Sequence, residues 1–339
     1  MTGMSYEIED DSSYLFACAE LKTREIEFVN DSKMERMLSA TDMEEFLKVL
    51  GDTVYASDIS NIEAKGSFEE VMVSSYRAIN GYLESRLKPE HKKLIHILFF
   101  EEFLHNLKLI LKSSILKKDF KNFYIPIKYE YSLLMEAYNT GKYEDSADPI
   151  QDLIQHLREL AGLSGGKDIR KLELDFEAFY IKKLLDTARS LKRKMIEDYM
   201  RHKIDLTNIE TIYRNSQLKD KSGFAGLLYD GGSLGLKMLA GLENESMDYI
   251  GKKLEHTYYG DAITKGAQKL FSDCSFSSYE RNRDLYFMEY FDRIKYSVSN
   301  LEKIFQFFLK KKIELININI LYTGIRYNAD KSNLRCRVE

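Results

Sequence analysis

Proline is scarce in this chain, and its placement excludes many folds. The 339 residues contain three prolines, Pro89, Pro126 and Pro149, and each lies between stretches of periodic hydrophobic residues rather than inside one. Because proline removes a backbone donor and breaks a helix, this placement favours long uninterrupted helices. The sequence therefore predicts an all-α fold.

Cysteine and histidine are also few, and neither forms a recognisable motif. The three cysteines, Cys18, Cys274 and Cys336, fit neither a disulfide framework nor a paired-cysteine metal site. The six histidines include no pair four residues apart, which is the simplest helical metal site, so we expect structural or surface histidines. The sequence also lacks Walker, serine-hydrolase and zinc-protease motifs. We therefore expect no cofactor, no metal, no catalytic residue and no enzymatic activity.

The chain lacks a strong excess of charge of either sign. Its 50 basic and 54 acidic residues give a net charge of −4, which is not the balance of a dedicated nucleic-acid binder. No stretch approaches the roughly 18 uninterrupted apolar residues of a transmembrane helix, and the N-terminus is acidic where a signal peptide is basic. We expect a cytoplasmic protein that binds no nucleic acid and is monomeric when isolated.

What the chain does contain is hydrophobic periodicity of the helical type. Over 97–115, apolar residues recur at steps of three and four, which places them on one helical face. A second stripe over 180–199 lies in a proline-free segment, so the pattern predicts one helix over 175–202, about 40 Å long. The glycine-rich segment 224–235 lacks the lysine of a phosphate-binding loop, and we interpret it as a connector.

An internal repeat is the most informative pattern. Three segments each place an acidic residue three or four positions before an asparagine, which Leu or Ile follows directly, and the asparagines are spaced by about 105 residues. We therefore predict three helical repeats over 1–120, 121–225 and 226–339. The signature residues, which we expect to be structural, are Glu102, Asn106 and Lys108 in the first repeat, Asp205, Asn208 and Arg214 in the second, and Glu314 and Asn317 in the third.

The acidic residue and the asparagine of each repeat share one helix face at this spacing. Both side chains can hydrogen-bond to a neighbouring helix or to its end. We therefore expect Asp205 with Asn208, and Glu314 with Asn317, to tie the last helix of a repeat to its neighbour by buried hydrogen bonds.

Segments along almost the whole chain carry a family resemblance. They are the stretches 17–27 and 37–55, H-N-L-K-L-I-L-K at 105–112, L-D-F-E-A-F-Y at 174–180, D-L-T-N-I-E-T-I-Y-R at 205–214, Gly231-Gly232, and E-L-I-N-I-N-I-L at 314–321. Together these segments resemble the C subunit of the V-type and A-type rotary ATPases, whose eukaryotic counterpart is the d subunit.

This resemblance implies a non-catalytic, peripheral part of a membrane-bound rotary motor that transports protons or sodium ions. It implies three similar lobes in a pseudo-threefold, funnel-like arrangement. It also implies two partners: the central-axle subunits of the ATP-hydrolysing head, which the funnel receives, and the membrane proteolipid ring, on which it rests. The residues leave one alternative open, a generic all-helical repeat scaffold or adaptor without enzymatic activity.

Basic residues concentrate between Lys182 and Lys203, where eight basic side chains stand among three acidic ones. A solvated helix face explains this charge, and so does a surface for an acidic partner. Under the second alternative, the candidate contact residues are Arg189, Lys192 and Arg193.

The segment 305–312 combines three phenylalanines with three lysines. This composition fits either a helix that lies on a membrane surface or buried aromatics with a lysine end that reaches solvent. We expect the second.

Overall fold

The computed structural model describes residues 9–145, 148–164, 168–216, 224–243, 245–257, 259–260 and 277–338. Within these ranges the chain consists of α-helices, short 3-10 turns and connectors, with no β-strand. The all-α prediction is confirmed, while the funnel-like arrangement of three lobes stays a prediction.

The α-helices are numbered in chain order. They are α1 (Leu15–Arg24), α2 (Asp31–Ser39), α3 (Met43–Leu50), α4 (Ile59–Lys65), α5 (Glu69–Arg86), α6 (Leu94–Leu98), α7 (Phe100–Leu116), α8 (Tyr131–Thr140), α9 (Ile150–Ser164), α10 (Ile169–Ser190), α11 (Lys194–Ser216), α12 (Leu236–Ala240), α13 (Met247–Leu254), α14 (Ser277–Phe291), α15 (Leu301–Arg326) and α16 (Lys331–Val338).

The chain divides into two compact units. The terminal unit comprises 1–76 and 244–339, and the middle unit comprises 77–243. The predicted repeats over 1–120, 121–225 and 226–339 concern sequence similarity rather than compactness, and that division stays a prediction.

The middle unit is organised around α10, which packs against α6, α7, α9 and α11. Asp168 caps its N-terminus by accepting a hydrogen bond from the Lys171 amide at 3.0 Å, which satisfies one of the free donors of the first turn. Phe176, Tyr180 and Leu184 follow at steps of four and are all buried. This spacing places them on one face, so α10 presents a continuous apolar stripe to the core.

The predicted single helix over 175–202 is wrong. The helix ends at Ser190, a new helix begins at Lys194, and Lys192 between them has a φ of 54°. A residue in the left-handed region terminates an α-helix. The hydrophobic pattern does not reveal the break because Leu191 and Met195 are both buried, so the apolar period continues through the turn. The stripe over 97–115 is likewise divided at Phe99, which separates α6 from α7.

The terminal unit is organised around α15, which packs against α1, α2, α3, α14 and α16. Its N-cap is Asn300, whose side chain accepts from the Lys303 amide at 2.9 Å. A helix with neighbours on so many sides is buried nearly all round. Phe305, Phe307 and Phe308 all lie in the core, so the expectation of buried aromatics in 305–312 is confirmed. The lysine end does not reach solvent as a whole, because Lys312 is buried.

Candidate functional site

Two of the three signature asparagines hold a connector to a long helix through backbone hydrogen bonds. On α7, Asn106 donates to the Ile125 carbonyl at 2.7 Å and accepts from the Ile125 amide at 2.9 Å. On α11, Asn208 makes the same two bonds to Tyr229, both at 2.8 Å. A side-chain amide can satisfy a backbone donor and a backbone acceptor together. Each asparagine is buried and fixes a segment about 20 residues further along the chain.

Asp205 fixes the same connector as Asn208, one turn earlier on α11. Its carboxylate is fully buried and accepts hydrogen bonds from the Ser233 amide at 2.8 Å and the Leu234 amide at 3.1 Å. A Cβ atom placed on Gly232 would lie 1.9 Å from the Asp205 Oδ1 atom. The connector can approach the carboxylate this closely only because that position has no side chain.

These contacts confirm that the segment 224–235 is a connector, since a 3-10 turn over Phe224–Leu227 leads through it to α12. They also specify the partner of Asp205 and Asn208. The hydrogen bonds are buried, as the sequence predicts, but both side chains bind this connector rather than a neighbouring helix.

Glu314, in the terminal unit, is held mainly by side chains. Its Oε1 atom accepts from the Tyr55 hydroxyl at 2.7 Å and lies 2.7 Å from Lys311 Nζ, and its Oε2 atom accepts from the Val29 amide at 2.6 Å. Burial, together with the charge of Glu314, raises the pKa of the Tyr55 phenol far above its usual range. The phenol therefore stays protonated and donates a hydrogen bond to the carboxylate.

Asn317 differs from the other two signature asparagines. It is only half-buried, and its Oδ1 atom accepts from Arg337 Nη1 at 3.3 Å. Arg337 is itself buried on α16 and contacts Asp284 at 3.1 Å and Glu280 at 3.3 Å. The third asparagine thus joins a cluster of charged side chains, where the first two bind backbone.

The remaining signature residues lie in three different settings. Lys108 pairs with Glu177 and so joins α7 to α10. Arg214 pairs with Glu210 of its own helix at 2.6 Å, with its side chain 56% exposed. Glu102 is buried on α7. Of these three residues, Lys108 makes a contact between helices that a sequence pattern on one helix does not reveal.

A buried ionic cluster in the middle unit escapes sequence reasoning. The Tyr129 hydroxyl donates to Asp148 Oδ1 at 2.6 Å and lies 3.1 Å from His96 Nε2. Lys128 lies 3.0 Å from Asp148 and 3.1 Å from Glu84. No motif links these five residues, which come from α5, α6, the segment before α8 and the approach to α9, so nothing in the sequence marks them as neighbours.

The charges of this cluster compensate one another. Burial alone would raise the pKa of Asp148, but the His96 imidazole and the Tyr129 hydroxyl outweigh it and hold that pKa well below its usual range. Burial opposes the charge of Lys128 as well, yet Asp148 and Glu84 raise the pKa of its ammonium. We interpret the cluster as structural, because each of its ionic groups faces a partner of opposite charge.

The basic stretch from Lys182 to Lys203 carries less free charge than its sequence indicates. Arg189, a predicted contact residue, pairs with Asp186 at 3.0 Å and lies 3.6 Å from Glu197. Lys192 is exposed at the turn between α10 and α11, and Arg193 beside it is half-buried. Further ion pairs of this stretch include Lys183 with Asp152, Lys194 with Asp198 and Glu197, Arg201 with Glu197, and Lys203 with Glu101.

Comparison with known proteins identifies the family. The model of the ATP synthase (C/AC39) subunit family matches residues 17–337. The chain belongs to this family. It is 24% identical over 282 residues to the C subunit of the A-type ATP synthase of Thermococcus kodakarensis, an alignment that covers 77% of this chain and 73% of that protein. It is 20% identical over 349 residues to the protein of the same name from Thermoplasma volcanium, which covers 96% of this chain and 97% of the relative.

The family match begins within α1 and ends within α16, so it includes both compact units. Across the described ranges, no helix is both long enough and apolar enough to cross a membrane. The same ranges contain no group of three or more histidine, cysteine or carboxylate side chains arranged to hold a metal ion. Cys18 and Cys336 are free thiols, and Cys274 lies outside the described residues.

Proposed function

We propose that this chain is a non-catalytic central-stalk subunit of a V/A-type rotary ATPase. In this role it is the socket that couples the rotating axle of the ATP-hydrolysing head to the proteolipid ring, for proton or sodium transport. The observation that carries the proposal is the family match over residues 17–337. Relatives aligned over most of their length are named as the C subunit of an A-type ATP synthase. The protein would act at the cytoplasmic membrane surface as a peripheral part of the complex.

The buried side chains that bind connectors, Asn106, Asp205 and Asn208, are consistent with this role. A part that transmits torque has to resist deformation, and its connectors are the segments that deform most easily. Asn106, Asp205 and Asn208 each bind a connector through backbone hydrogen bonds. These bonds give the loops of the middle unit fixed positions on the long helices α7 and α11, as torque transmission requires.

We propose that the turn at Lys192 and Arg193, next to Arg189, contacts an acidic surface of the axle or the ring. The exposed ammonium of Lys192 supports this choice, whereas Arg189 already shares its charge with Asp186. Charged residues at the edge of a protein–protein interface affect the association rate and its salt dependence more than the final affinity. Reversal of Lys192 and Arg193 to glutamate should therefore slow binding and reduce its sensitivity to salt, with the circular dichroism spectrum unchanged.

Co-purification tests the proposed function. The chain, tagged and expressed with the axle subunits and the proteolipid ring of the same organism, should purify with both. Purification with neither would favour the generic scaffold. A parallel assay of ATP turnover by the isolated chain should show no hydrolysis, and measurable hydrolysis would contradict the non-catalytic assignment.

A further inference from the structure

The terminal unit carries an open groove whose role the proposed function does not specify. The groove has a volume of about 740 Å³, which lies within the range of binding sites. Its walls are α1, the N-terminal half of α15 and the connector 292–298. The two helices pack against each other, so the walls belong to one compact unit.

The spacing of the lining residues defines the length of the groove. On α1 the lining side chains run from Leu15 through Ala19 to Lys22, and on α15 they run from Lys303 through Phe307 to Lys310. Residues at i, i+4 and i+7 lie on one helix face over about 10 Å. Each wall is therefore one face of a helix over two turns, which matches the length of two turns of an inserted helix.

Exposed apolar side chains lie at the groove and beside it. Leu15 and Val298 line it and are 50% and 61% exposed. Phe16, Ile26 and Tyr296, each adjacent in sequence to a lining residue, are 68%, 90% and 86% exposed. Of these, Leu15 and Val298 line the groove itself, and exposed apolar side chains at a concave site indicate an interaction surface.

The charges at the groove are predominantly positive. Lys22 pairs with Glu25, and Lys310 lies 3.9 Å from Asp292. Lys295 and Lys303 also line the groove, and no carboxylate of the described residues forms an ion pair with either. The lining thus has four lysines and two carboxylates, and Asp10 adds a third carboxylate beside it by accepting from the Val298 and Ser299 amides. The balance is still positive and favours an acidic partner.

We propose that this groove docks an amphipathic helix of a protein partner, with apolar residues facing Leu15 and Val298 and carboxylates facing Lys295 and Lys303. A concave site between two helix faces fits a helix, which is a recurrent mode of recognition, whereas a bilayer presents a flat surface. The inference rests on the proposed function, since the helix would belong to another protein of the motor.

Charge reversal at Lys295 and Lys303, which form no ion pair with a described carboxylate, tests the proposal. The wild-type chain and the double variant Lys295→Glu/Lys303→Glu are titrated against the purified axle proteins, one at a time, and against the detergent-solubilised proteolipid ring. The control variant is Lys48→Glu/Lys252→Glu, because both of these lysines are exposed in the same unit and neither lines the groove. Glutamate at position 303 suits the first turn of α15, so the fold should persist, which a melting curve verifies.

We expect one of these partners to bind the wild type and to lose at least tenfold in affinity with the groove variant, while the control stays within twofold. Leu15→Gln should weaken the same complex by reducing apolar contact. If the groove variant binds every partner as tightly as the wild type does, the docking proposal is wrong and the proposed function stands. Binding of the wild type to none of the partners contradicts both. Wild type and groove variant are also titrated against vesicles of anionic phospholipid. If the groove variant loses binding to the vesicles but keeps its binding to the protein partners, the groove binds the membrane and the proposal is wrong.

Discussion

The two units of the molecule each bury a carboxylate three residues before an asparagine, but they satisfy these side chains differently. In the middle unit, Asp205 and Asn208 bind the backbone of a connector. In the terminal unit, Glu314 is held by a phenol, an ammonium and one backbone amide, and Asn317 by the Arg337 guanidinium. The same sequence signature therefore predicts a polar pair on a long helix and leaves the chemistry of its partners open.

The difference has consequences for how each unit tolerates change. Hydrogen bonds to backbone groups do not depend on the side chains of the connector. They do require the connector backbone to approach the buried carboxylate closely, which Gly232 allows because it has no side chain. Hydrogen bonds to side chains depend on the identity of each partner residue, such as Tyr55 or Arg337. Substitution of the signature residues in both units separates these two modes.

The largest effect should follow from Asp205→Ala. The substitution removes the acceptor of two backbone amides, and hydrogen bonds to charged groups contribute about 1.5–3 kcal/mol each. We expect the free energy of unfolding to fall by roughly 3–5 kcal/mol, measured by urea denaturation. Asp230→Ala is the matched control, because Asp230 is an exposed acid of the same connector and its loss should cost little.

Asp148→Asn should produce the next largest effect, and this effect should depend on pH. Breaking one partner of a buried ion pair costs about 3–5 kcal/mol, and we expect the lower end at pH 7 because asparagine keeps a hydrogen-bonding side chain. The pKa of Asp148 is lower in the folded protein than the value of about 3.9 in an unfolded chain. Its contribution is therefore complete above about pH 4 and is lost as the pH falls through the folded value. Wild type and variant should converge on acidification, and a constant difference down to pH 2 would contradict the assignment.

Two glycines of one connector offer a sharper comparison. A Cβ on Gly232 would clash with Asp205, whereas a Cβ on Gly235 meets no heavy atom within 4 Å. We expect Gly232→Ala to lower the free energy of unfolding by about 2 kcal/mol, a typical cost of overpacking. Gly235→Ala should lower it by less than about 1 kcal/mol, because Gly235 is the N-cap of α12 and alanine is less favourable than glycine at that position. Equal melting temperatures for the two variants would argue against a close approach of the connector to the carboxylate.

The smallest effects on the free energy of unfolding should come from substitution of the signature asparagines, Asn208 and Asn317. Asn208→Ala removes two backbone hydrogen bonds at a buried site and should cost about 1–3 kcal/mol. Asn317→Ala removes one longer bond at a half-buried site and should cost below about 1 kcal/mol. Thermal denaturation of both variants gives the ranking. An unchanged melting temperature for Asn208→Ala, together with lost assembly into the motor, would instead make this residue a partner contact.

Much of the helical structure can be predicted from the sequence, because apolar periodicity and proline placement act locally. The stripe over 180–199 correctly marks buried positions such as Tyr180 and Met195. It fails at Lys192, since a single residue in the left-handed region interrupts the helix without interrupting burial. Hydrophobic periodicity reports which residues face the core, and it carries no information about one backbone dihedral angle.

The ionic cluster around Asp148 and the groove beside α15 could not be predicted in the same way. Their residues lie far apart in the chain, as His96 and Asp148 or Lys22 and Lys303 show. An ion pair or a groove forms only when packing brings such segments together. The charge count over 182–203 was uninformative for the same reason, since Asp152 and Glu101 from other helices pair with two of its lysines.

The sequence by itself determined that this protein is all-helical, that its long helices carry buried polar signatures, and that it resembles the family to which it belongs. Only the tertiary structure decided which atoms satisfy those signatures: backbone amides for Asp205, side chains for Glu314 and Asn317. The physical reason is that burial follows from local periodicity, whereas a buried polar group must find a partner, and that partner is whichever group the packing brings within hydrogen-bond distance.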